Sequence, residues 1–270
     1  METVDPGNSQ EYRASYRSIL SHTVGILHRN TVNGTVQIGS GVLVEIANCL
    51  FVATAYHCIE SEPVILVNGM AVDAVNLPPP QVRILEKGGD SKLDVGFLKL
   101  ETGKKIVTEH EHKPCSLSQC IIFPNPVNQV FHLSGCPNFD QVARQGVISQ
   151  GLSVYAAPVV YVDEDNLYFD FAKEVSHYNP ATKTDELRTV ESPHGFSGGG
   201  CWGITKSQND ELYNPYKTCW LLGIQSGWMR TTRRCRVPLI KRWVRLLTRQ
   251  YRELHQPIME AMKSLNIFNA

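Results

Sequence analysis

Short runs of apolar and β-branched residues, separated by Gly, Asn and Pro, recur at close intervals along the first hundred positions. Such runs, bounded by turn-forming residues, are typical of β-strands, and their close spacing favours a barrel or a sandwich. The predicted strands of this first set are Thr23–Leu27, Val36–Ile38, Val42–Ile46, Leu50–Thr54, Val64–Val67, Gln81–Leu85 and Val95–Leu100.

A second set of such runs follows a polar stretch with several prolines, from Glu101 to Pro126. Its predicted strands are Gln129–Ser134, Gln141–Gln150, Val154–Val162, Leu167–Phe171, Gly199–Trp202 and Leu221–Ser226. We interpret the polar stretch as a crossing between two β-rich units. The chain is thus divided into a polar extension (1–20), a first β unit (21–105), a crossing (106–127), a second β unit (128–237) and a helical segment (238–270).

The helical segment is predicted from a change of period after Pro238. Apolar residues there recur at three- and four-residue steps, which is typical of an amphipathic helix with proline at its start. They are Leu239, Trp243, Leu246, Leu247, Tyr251 and Leu254. We expect this helix to pack on the β units and to break at Pro257.

The composition indicates a globular protein. The 270 residues include 26 Lys+Arg and 26 Asp+Glu, 42% are hydrophobic and 19% are charged, so the chain is too apolar for disorder. Because the charges balance and no run of five like charges occurs, we expect no nucleic-acid partner. A local cluster of arginines could be a solvated turn or a site for an acidic partner; its members are Arg230, Arg233, Arg234 and Arg236.

The N-terminal residues, Met1 to Arg17, lack the apolar core of a secretory signal. No stretch approaches the roughly 18 apolar residues of a membrane span. We therefore expect a cytoplasmic protein with no membrane span, whose eight cysteines are free thiols.

A serine flanked by glycines is the first candidate for chemistry. The segment Ser192–Gly200 reads Ser-Pro-His-Gly-Phe-Ser-Gly-Gly-Gly, and its glycines permit unusual dihedral angles and close approach of a substrate. The N–H groups of Gly195 and Ser197 could converge as an oxyanion hole. A plain glycine-rich turn is the alternative.

A histidine and an aspartate supply the other two roles of nucleophilic catalysis. His57 follows the apolar strand Leu50–Thr54, and Asp94 precedes the apolar strand Val95–Leu100. In such an arrangement Ser197 attacks a carbonyl, histidine accepts its proton, and aspartate orients the imidazole.

Four ordered segments resemble the chymotrypsin-like (trypsin-like) serine peptidases, over about 200 residues. Thr54–Cys58 is similar to the family's Thr-Ala-Ala-His-Cys, Asp94–Leu100 to its Asp-Ile-Ala-Leu-Leu-Lys-Leu, and Gly195–Gly199 to Gly-Asp-Ser-Gly-Gly. Gly223–Trp228 is similar to the strand that pairs with substrate. The resemblance implies an all-β fold of two six-stranded antiparallel β-barrels with a C-terminal α-helix and a site in the cleft between the barrels.

The same resemblance assigns residues to roles. It implies a serine endopeptidase without a cofactor, acting on a protein or peptide, with His57, Asp94 and Ser197 as the catalytic triad. Ser226 would support Asp94, and the substrate would also meet two further residues, Gly227 and Trp228. The alternative is a catalytically silent peptide-binding or scaffolding module on the same fold.

The chain departs from the secreted relatives at the activation site. Their cleaved Ile-Val terminus pairs with an aspartate just before the serine, where this chain has Phe196, and it has no Arg-Ile-Val-Gly-Gly sequence. The joint loss is coherent, because a buried carboxylate without its partner costs about 3–5 kcal/mol. We therefore expect an intracellular, bacterial-type branch without zymogen activation. A regulatory protein partner, and by analogy a role in bacterial antiviral defence, are expectations of the same kind.

Specificity has two open interpretations. Glu191 lies six residues before Ser197, at the position that forms the floor of the trypsin pocket, where a carboxylate would select Lys or Arg. A surface glutamate in a loop of different length is the alternative. His194 would line the pocket entrance.

A weak metal candidate lies in the crossing. His110, His112, Cys115 and Cys120 form His-x-His-x2-Cys-x4-Cys, which could close a tetrahedral zinc site. The alternative is an exposed crossing with two satisfied thiols, and we predict no metal.

Overall fold

The computed structural model describes residues 10–29, 36–66, 72–73, 82–101, 112–120, 126–137, 142–144, 147–149, 151–179, 184–189, 191–205, 214 and 218–263. The helices are α1 (Gln10–Ser21), α2 (Ile240–Gln250) and α3 (His255–Lys263), with single 3-10 turns at Tyr56–Cys58, Leu117–Gln119 and Arg252–Leu254. The strands up to residue 135 are β1 (Thr23–Arg29), β2 (Val36–Ile46), β3 (Cys49–Thr54), β4 (Val64–Leu66), β5 (Val72–Asp73), β6 (Ile84–Asp90), β7 (Val95–Leu100), β8 (Cys115–Ser116) and β9 (Val130–Gly135). The later strands are β10 (Val142–Arg144), β11 (Val147–Ser149), β12 (Ser153–Val162), β13 (Asn166–Asp170), β14 (Glu174–Asn179), β15 (Thr184–Thr189), β16 (Gly200–Ile204), β17 (Cys219–Ile224), β18 (Gly227–Met229) and β19 (Arg234–Pro238).

The first large sheet joins β4, β1, β2, β3, β7 and β6 in antiparallel order, and β8 pairs parallel to β2. The sequence pattern predicted two short strands where β2 is continuous, because glycines interrupt the apolar run. These glycines serve close packing rather than a turn. A side chain at Gly39 would collide with the thiol of Cys58, and one at Gly41 with Val52.

The second large sheet joins β17, β16, β9, β12, β13, β19 and β18. Its long strand β12 pairs with β9 from Ser153 to Pro158, and then with β13 from Val159 to Val162. A separate three-stranded sheet pairs β5 with β11, which links the first half of the chain to the second. The hairpin β14–β15 precedes the loop that carries Ser197.

The C-terminal helices pack on the sheets, as the period predicted. Trp243 of α2 is fully buried, and its indole N–H donates to the carbonyl of Gly96 on β7 at 3.1 Å. The prediction of a break at Pro257 is wrong, because the helix ends at Gln250 and restarts at His255. Proline is tolerated there, since the N–H groups of a first helical turn have no partner within the helix. None of the described helices is long and apolar enough to cross a membrane.

The N-terminal extension contains a helix that the pattern did not predict. Helix α1 covers Gln10–Ser21 and buries Ile19 in the largest apolar cluster, while Ser15 accepts a thiol hydrogen bond from Cys219 at 3.8 Å. Most residues of α1 are polar, so the few that face the core do not form a helical pattern that the sequence reveals.

Candidate active site

Strand pairing brings the predicted histidine and aspartate together. β3 and β7 are antiparallel neighbours, with Thr54 opposite Gly96. His57 lies just beyond the end of β3, in the turn Tyr56–Cys58, and Asp94 lies just before the start of β7. Residues that follow one strand and precede its antiparallel neighbour must lie at the same end of the sheet.

The imidazole of His57 and the carboxylate of Asp94 are hydrogen-bonded. His57 Nδ1 lies 2.9 Å from Asp94 Oδ2 and 3.0 Å from Oδ1, and the backbone N–H of His57 donates to Oδ1 at 3.1 Å. The carboxylate side chain is 19% exposed and the imidazole 42%. Asp94 has a φ of 55°, in the left-handed region that costs a non-glycine residue about 1–3 kcal/mol. Its carboxylate is thereby aimed at the ring and the N–H of one residue.

The pair changes the acidity of the histidine. Burial lowers the pKa of His57, but the hydrogen bond that the ring donates to the carboxylate of Asp94 and the adjacent Cys58 thiol outweigh it and raise the pKa to about 10. The ring is therefore protonated at neutral pH in the free protein. No hydrogen bond joins the hydroxyl of Ser197 to this ring within the described residues. A catalytic hydrogen bond of this kind often forms only in the complex with substrate.

The loop before Ser197 is a tight turn. The N–H of Phe196 donates to the carbonyl of Pro193 at 3.0 Å, and Gly195, the third residue of the turn, has a φ of 94°. These are the features of a type II turn, which requires glycine or asparagine at its third position.

Backbone hydrogen bonding in this loop leaves out two groups. The N–H groups of Phe196, Gly198 and Gly199 all donate to carbonyls, the second at 2.6 Å to Gln225. Those of Gly195 and Ser197 donate to no acceptor among the described residues. Two neighbouring N–H groups without an acceptor in one tight loop can together bind an external acceptor.

The loop is fastened to β2 of the first sheet. Ser40 donates its N–H to the carbonyl of Ser197 at 2.7 Å and its hydroxyl to the carbonyl of Gly195 at 2.5 Å. Thr54 in turn donates to the carbonyl of Ser40 at 2.7 Å. A Cβ at Gly198, where φ is 88°, would collide with that same carbonyl. Sequence analysis missed Ser40, whose only signal is its place between Gly39 and Gly41.

Phe196 fixes the loop from the other side. Its ring is 1% exposed and lies 6.5 Å from the ring of Phe171 in the core of the second sheet. The sequence has Phe196 where the secreted relatives have an aspartate that pairs with a cleaved N-terminus. The apolar environment of Phe196 is consistent with this replacement.

Ser226 and its neighbours lie beside the pair. Ser226 is buried and its N–H donates to the carbonyl of Arg236 at 3.0 Å. The family resemblance implied that Ser226 supports Asp94. The hydroxyl of Ser226 accepts a hydrogen bond from Arg236 Nη2 at 3.3 Å, and the same Nη2 lies 4.0 Å from Asp94 Oδ2. Gly227 begins strand β18, and Trp228 lies half-buried, 5.8 Å from Phe171. Sequence analysis missed Arg236, since its cluster was considered a solvated turn or an acidic-partner site.

The structure changes the interpretation of Glu191. Its side chain is exposed, so it is not the desolvated carboxylate at a pocket floor that the trypsin resemblance implied. Its carbonyl instead accepts from Arg233 at 3.0 Å, and that guanidinium also lies 5.6 Å from the ring of Trp228. The surface alternative is therefore the better description. His194 is exposed in the turn before Gly195.

The metal candidate is not assembled in the described residues. His110 lies outside them, and the described part of the chain contains no group of three or more metal-ligand side chains. His112 hydrogen-bonds the carbonyl of Ser21 at 3.1 Å. A contact with Cys120, together with burial, raises the pKa of Cys115, which stays a thiol. All eight cysteines of the chain are free.

Solved structures similar to this chain, all of low sequence identity, are proteases and an inactivated protease paralogue. A serine endoprotease from Yersinia pestis matches with a TM-score of 0.53 and 15% identity, over 91% of this chain and 68% of that one. HL collagenase has a TM-score of 0.53 and 14% identity, over 87% and 95%. An inactivated protease paralogue of the scabies mite has a TM-score of 0.52 and 12% identity, over 87% and 97%. No family model and no curated protein matches the chain.

At these identities the likeness shows the fold alone. The prediction of an all-β, chymotrypsin-like fold with a C-terminal helix is confirmed. Each large sheet has seven described strands, where the resemblance implied six per barrel. Since one of the similar structures is an inactivated protease, catalysis has to be argued from the site of this chain.

Proposed function

We propose that the protein is a serine endopeptidase that cleaves protein substrates through an acyl-enzyme. His57, Asp94 and Ser197 form its catalytic triad, and the N–H groups of Gly195 and Ser197 form its oxyanion hole. The observation that carries the proposal is the loop beside the His57–Asp94 pair, in which these two N–H groups have no acceptor while their neighbours do.

The reaction needs no group from outside the chain. Ser197 Oγ attacks the peptide carbonyl as His57 Nε2 takes the hydroxyl proton, and the two N–H groups bind the oxyanion. Collapse of the tetrahedral species breaks the C–N bond, and His57 delivers the proton to the leaving amine. Water then repeats the steps and releases the acid. Asp94 holds the Nδ1–H tautomer and stabilises the imidazolium throughout.

A peptide would be aligned by strand β18. Within the described residues this strand, Gly227–Met229, pairs with β19 on one side and forms the end of its sheet. An extended peptide can add to such an edge through main-chain hydrogen bonds. We assign substrate binding to Ser226, Gly227 and Trp228 on this basis.

One observation favours a second candidate, a silent peptide-binding module. Ser197 has no hydrogen bond to His57, and a protonated ring cannot accept its proton. In that case the loop and strand β18 would bind a peptide without cleaving it.

A fluorophosphonate label distinguishes the two candidates. We expect the wild-type protein to be modified at Ser197, and turnover of a casein-type substrate to fall on the order of 10⁴–10⁶-fold in Ser197→Ala and in His57→Ala. Ser118→Ala is the matched control, because within the described residues that exposed hydroxyl hydrogen-bonds only Ser116. A folded wild-type protein that the label leaves unmodified up to pH 10 would favour the silent module.

The proposal includes a mature site that needs no N-terminal cleavage, since Phe196 is anchored in the core. An added N-terminal tag should therefore leave the labelling rate unchanged. The regulatory partner, the cytoplasmic location and the role in antiviral defence depend on the family resemblance and stay predictions.

A further inference from the structure

A second charged group lies next to the carboxylate of Asp94. Arg236 Nη2 is 4.0 Å from Asp94 Oδ2. The same oxygen lies 2.9 Å from Nδ1 of the His57 imidazole. The same Nη2 donates to the hydroxyl of Ser226 at 3.3 Å. His57, Asp94 and Arg236 thus form a row of alternating charge when the ring is protonated.

The backbone holds this arginine in place. Arg236 lies in β19, an inner strand of its sheet, opposite Tyr168 on β13 and Gly227 on β18. The strand therefore cannot shift without breaking hydrogen bonds on both sides.

Gly227 makes room for the guanidinium. A Cβ at Gly227 would lie 3.1 Å from Arg236 Nε and 3.5 Å from its Cζ. The missing side chain lets the arginine cross β18 toward Asp94. Its Nε is buried there without a hydrogen-bond partner among the described residues. Asp94 is the one described carboxylate within 4.0 Å of the guanidinium, and it is Nη2 that lies at this distance.

Other titratable groups lie near the row in the described part of the chain. Cys58 lies beside His57, and on the far side the hydroxyl of Tyr168 donates a hydrogen bond to the carboxylate of Asp163 at 2.8 Å. The next arginine along the strand, Arg234, pairs outward with Asp170 at 2.9 Å. It therefore offers a matched control on the same strand.

We infer that Arg236 is a positioning residue for the catalytic aspartate: it holds the carboxylate of Asp94 from behind, through its charge and through Ser226, and limits how strongly Asp94 binds the imidazolium. This inference depends on the proposed function. In this chain the cation stands where a serine alone was expected to support the aspartate. A carboxylate shared between two cations binds each less tightly than it would bind one.

The test measures His57 directly and does not need turnover. In protein labelled with ¹⁵N-histidine, the ring of His57 is titrated by NMR in the wild type and in Arg236→Gln. Loss of the cation should raise the His57 pKa by about half a unit to one unit. Arg236→Lys should restore most of the difference, and Arg234→Gln should leave the His57 pKa within about 0.2 units of wild type.

Activity provides the second measurement. If the protein labels with a fluorophosphonate, the ascending limb of its rate against pH should move to higher pH in Arg236→Gln by the same amount. A merely structural arginine would lower the rate without moving the limb. Should Arg236→Gln not fold, Arg236→Met, which keeps the aliphatic stem and removes the charge, should move the His57 pKa in the same direction.

An unchanged His57 pKa in folded Arg236→Gln or Arg236→Met would overturn the inference. Failure of the proposed function looks different. In that case no variant and no wild-type protein would label, while the NMR titration would still report whether Arg236 acts on the pair.

Discussion

Position 196 is occupied by a buried phenylalanine, where the family resemblance implied an aspartate paired with a cleaved N-terminus. Phe196 packs in the second core near Phe171, and a side chain at Gly135 would collide with it. The loop that it anchors carries both proposed oxyanion donors. On the proposed function this apolar anchor holds the loop without an N-terminal cleavage.

We predict that Phe196→Asp destabilises the protein far more than Phe196→Leu. A carboxylate buried in this cluster without a cation costs about 3 kcal/mol or more, whereas the smaller apolar residue costs about 1 kcal/mol. Urea unfolding of the two variants measures the difference. Equal stabilities would show that a cation reaches position 196.

The raised pKa of His57 predicts an alkaline activity profile. The ring must be neutral to accept the proton of Ser197, so kcat/KM should rise as pH approaches about 10. The same shift stabilises the fold fully below the ordinary value of 6.5, and this contribution is lost as pH rises toward 10. Asp94→Asn should move the midpoint of the activity limb down toward 6.5. A wild-type midpoint at or below 6.5 contradicts the prediction.

The sequence predicts strand bounds well where a local pattern of alternating apolar residues determines the strand. β7 has the predicted bounds, and β3, β4 and β13 differ from theirs by one residue at one or both ends, because alternation and β-branching are local properties. Helix α1 was missed because its buried residues depend on what it packs against. The period alone does not place Pro257 in a first helical turn, because that position depends on where the preceding helix ends, at Gln250.

The site residues also fall into those that local sequence motifs predict and those that depend on contacts between distant segments. His57, Asp94 and Ser197 are recognisable from sequence motifs, since each motif also encodes its strand end or turn. Arg236 and Ser40 act through contacts between distant segments, which leave no spacing signal. Glu191 failed as a pocket residue because its loop, with the hairpin β14–β15, has a path that the resemblance does not supply.

Lys87 connects an edge strand to the turn of His57, and this contact yields a further prediction. Its ammonium donates to the carbonyls of Ile59, Glu60 and Ser61 at 3.0, 3.2 and 2.7 Å. Lys87→Met should lower stability by about 1 kcal/mol and labelling several-fold, because the chain after His57 loses these partners. Calorimetry and the labelling rate measure both effects.

Lys263→Met is the control for this prediction, since Lys263 is an exposed residue at the end of α3. If Lys87→Met behaves like it in both measurements, the three hydrogen bonds do not position the turn.

In the whole molecule the two sheets meet at a buried polar network. Thr23 of β1 donates to the hydroxyl of Ser134 on β9 at 2.8 Å, and the indole of Trp202 on β16 donates to the same hydroxyl at 3.0 Å. The rings of His22 and Trp202 are stacked at 5.4 Å, and His132 lies close by. The junction behind the site thus contains two buried histidines.

These histidines predict acid sensitivity of the fold. Burial lowers the pKa of His22 and of His132 to about 4. Above pH 6.5 both rings are neutral in the folded and the unfolded state, so they do not change the free energy of unfolding with pH. As pH falls from 6.5 to 4 only the unfolded chain takes up the protons, and unfolding is favoured by up to about 3 kcal/mol per histidine. Thermal midpoints should therefore fall across this window, and His132→Gln, which cannot take up a proton, should reduce the slope by about half. If the slope is the same in the wild type and His132→Gln, the acid sensitivity comes from groups other than this junction.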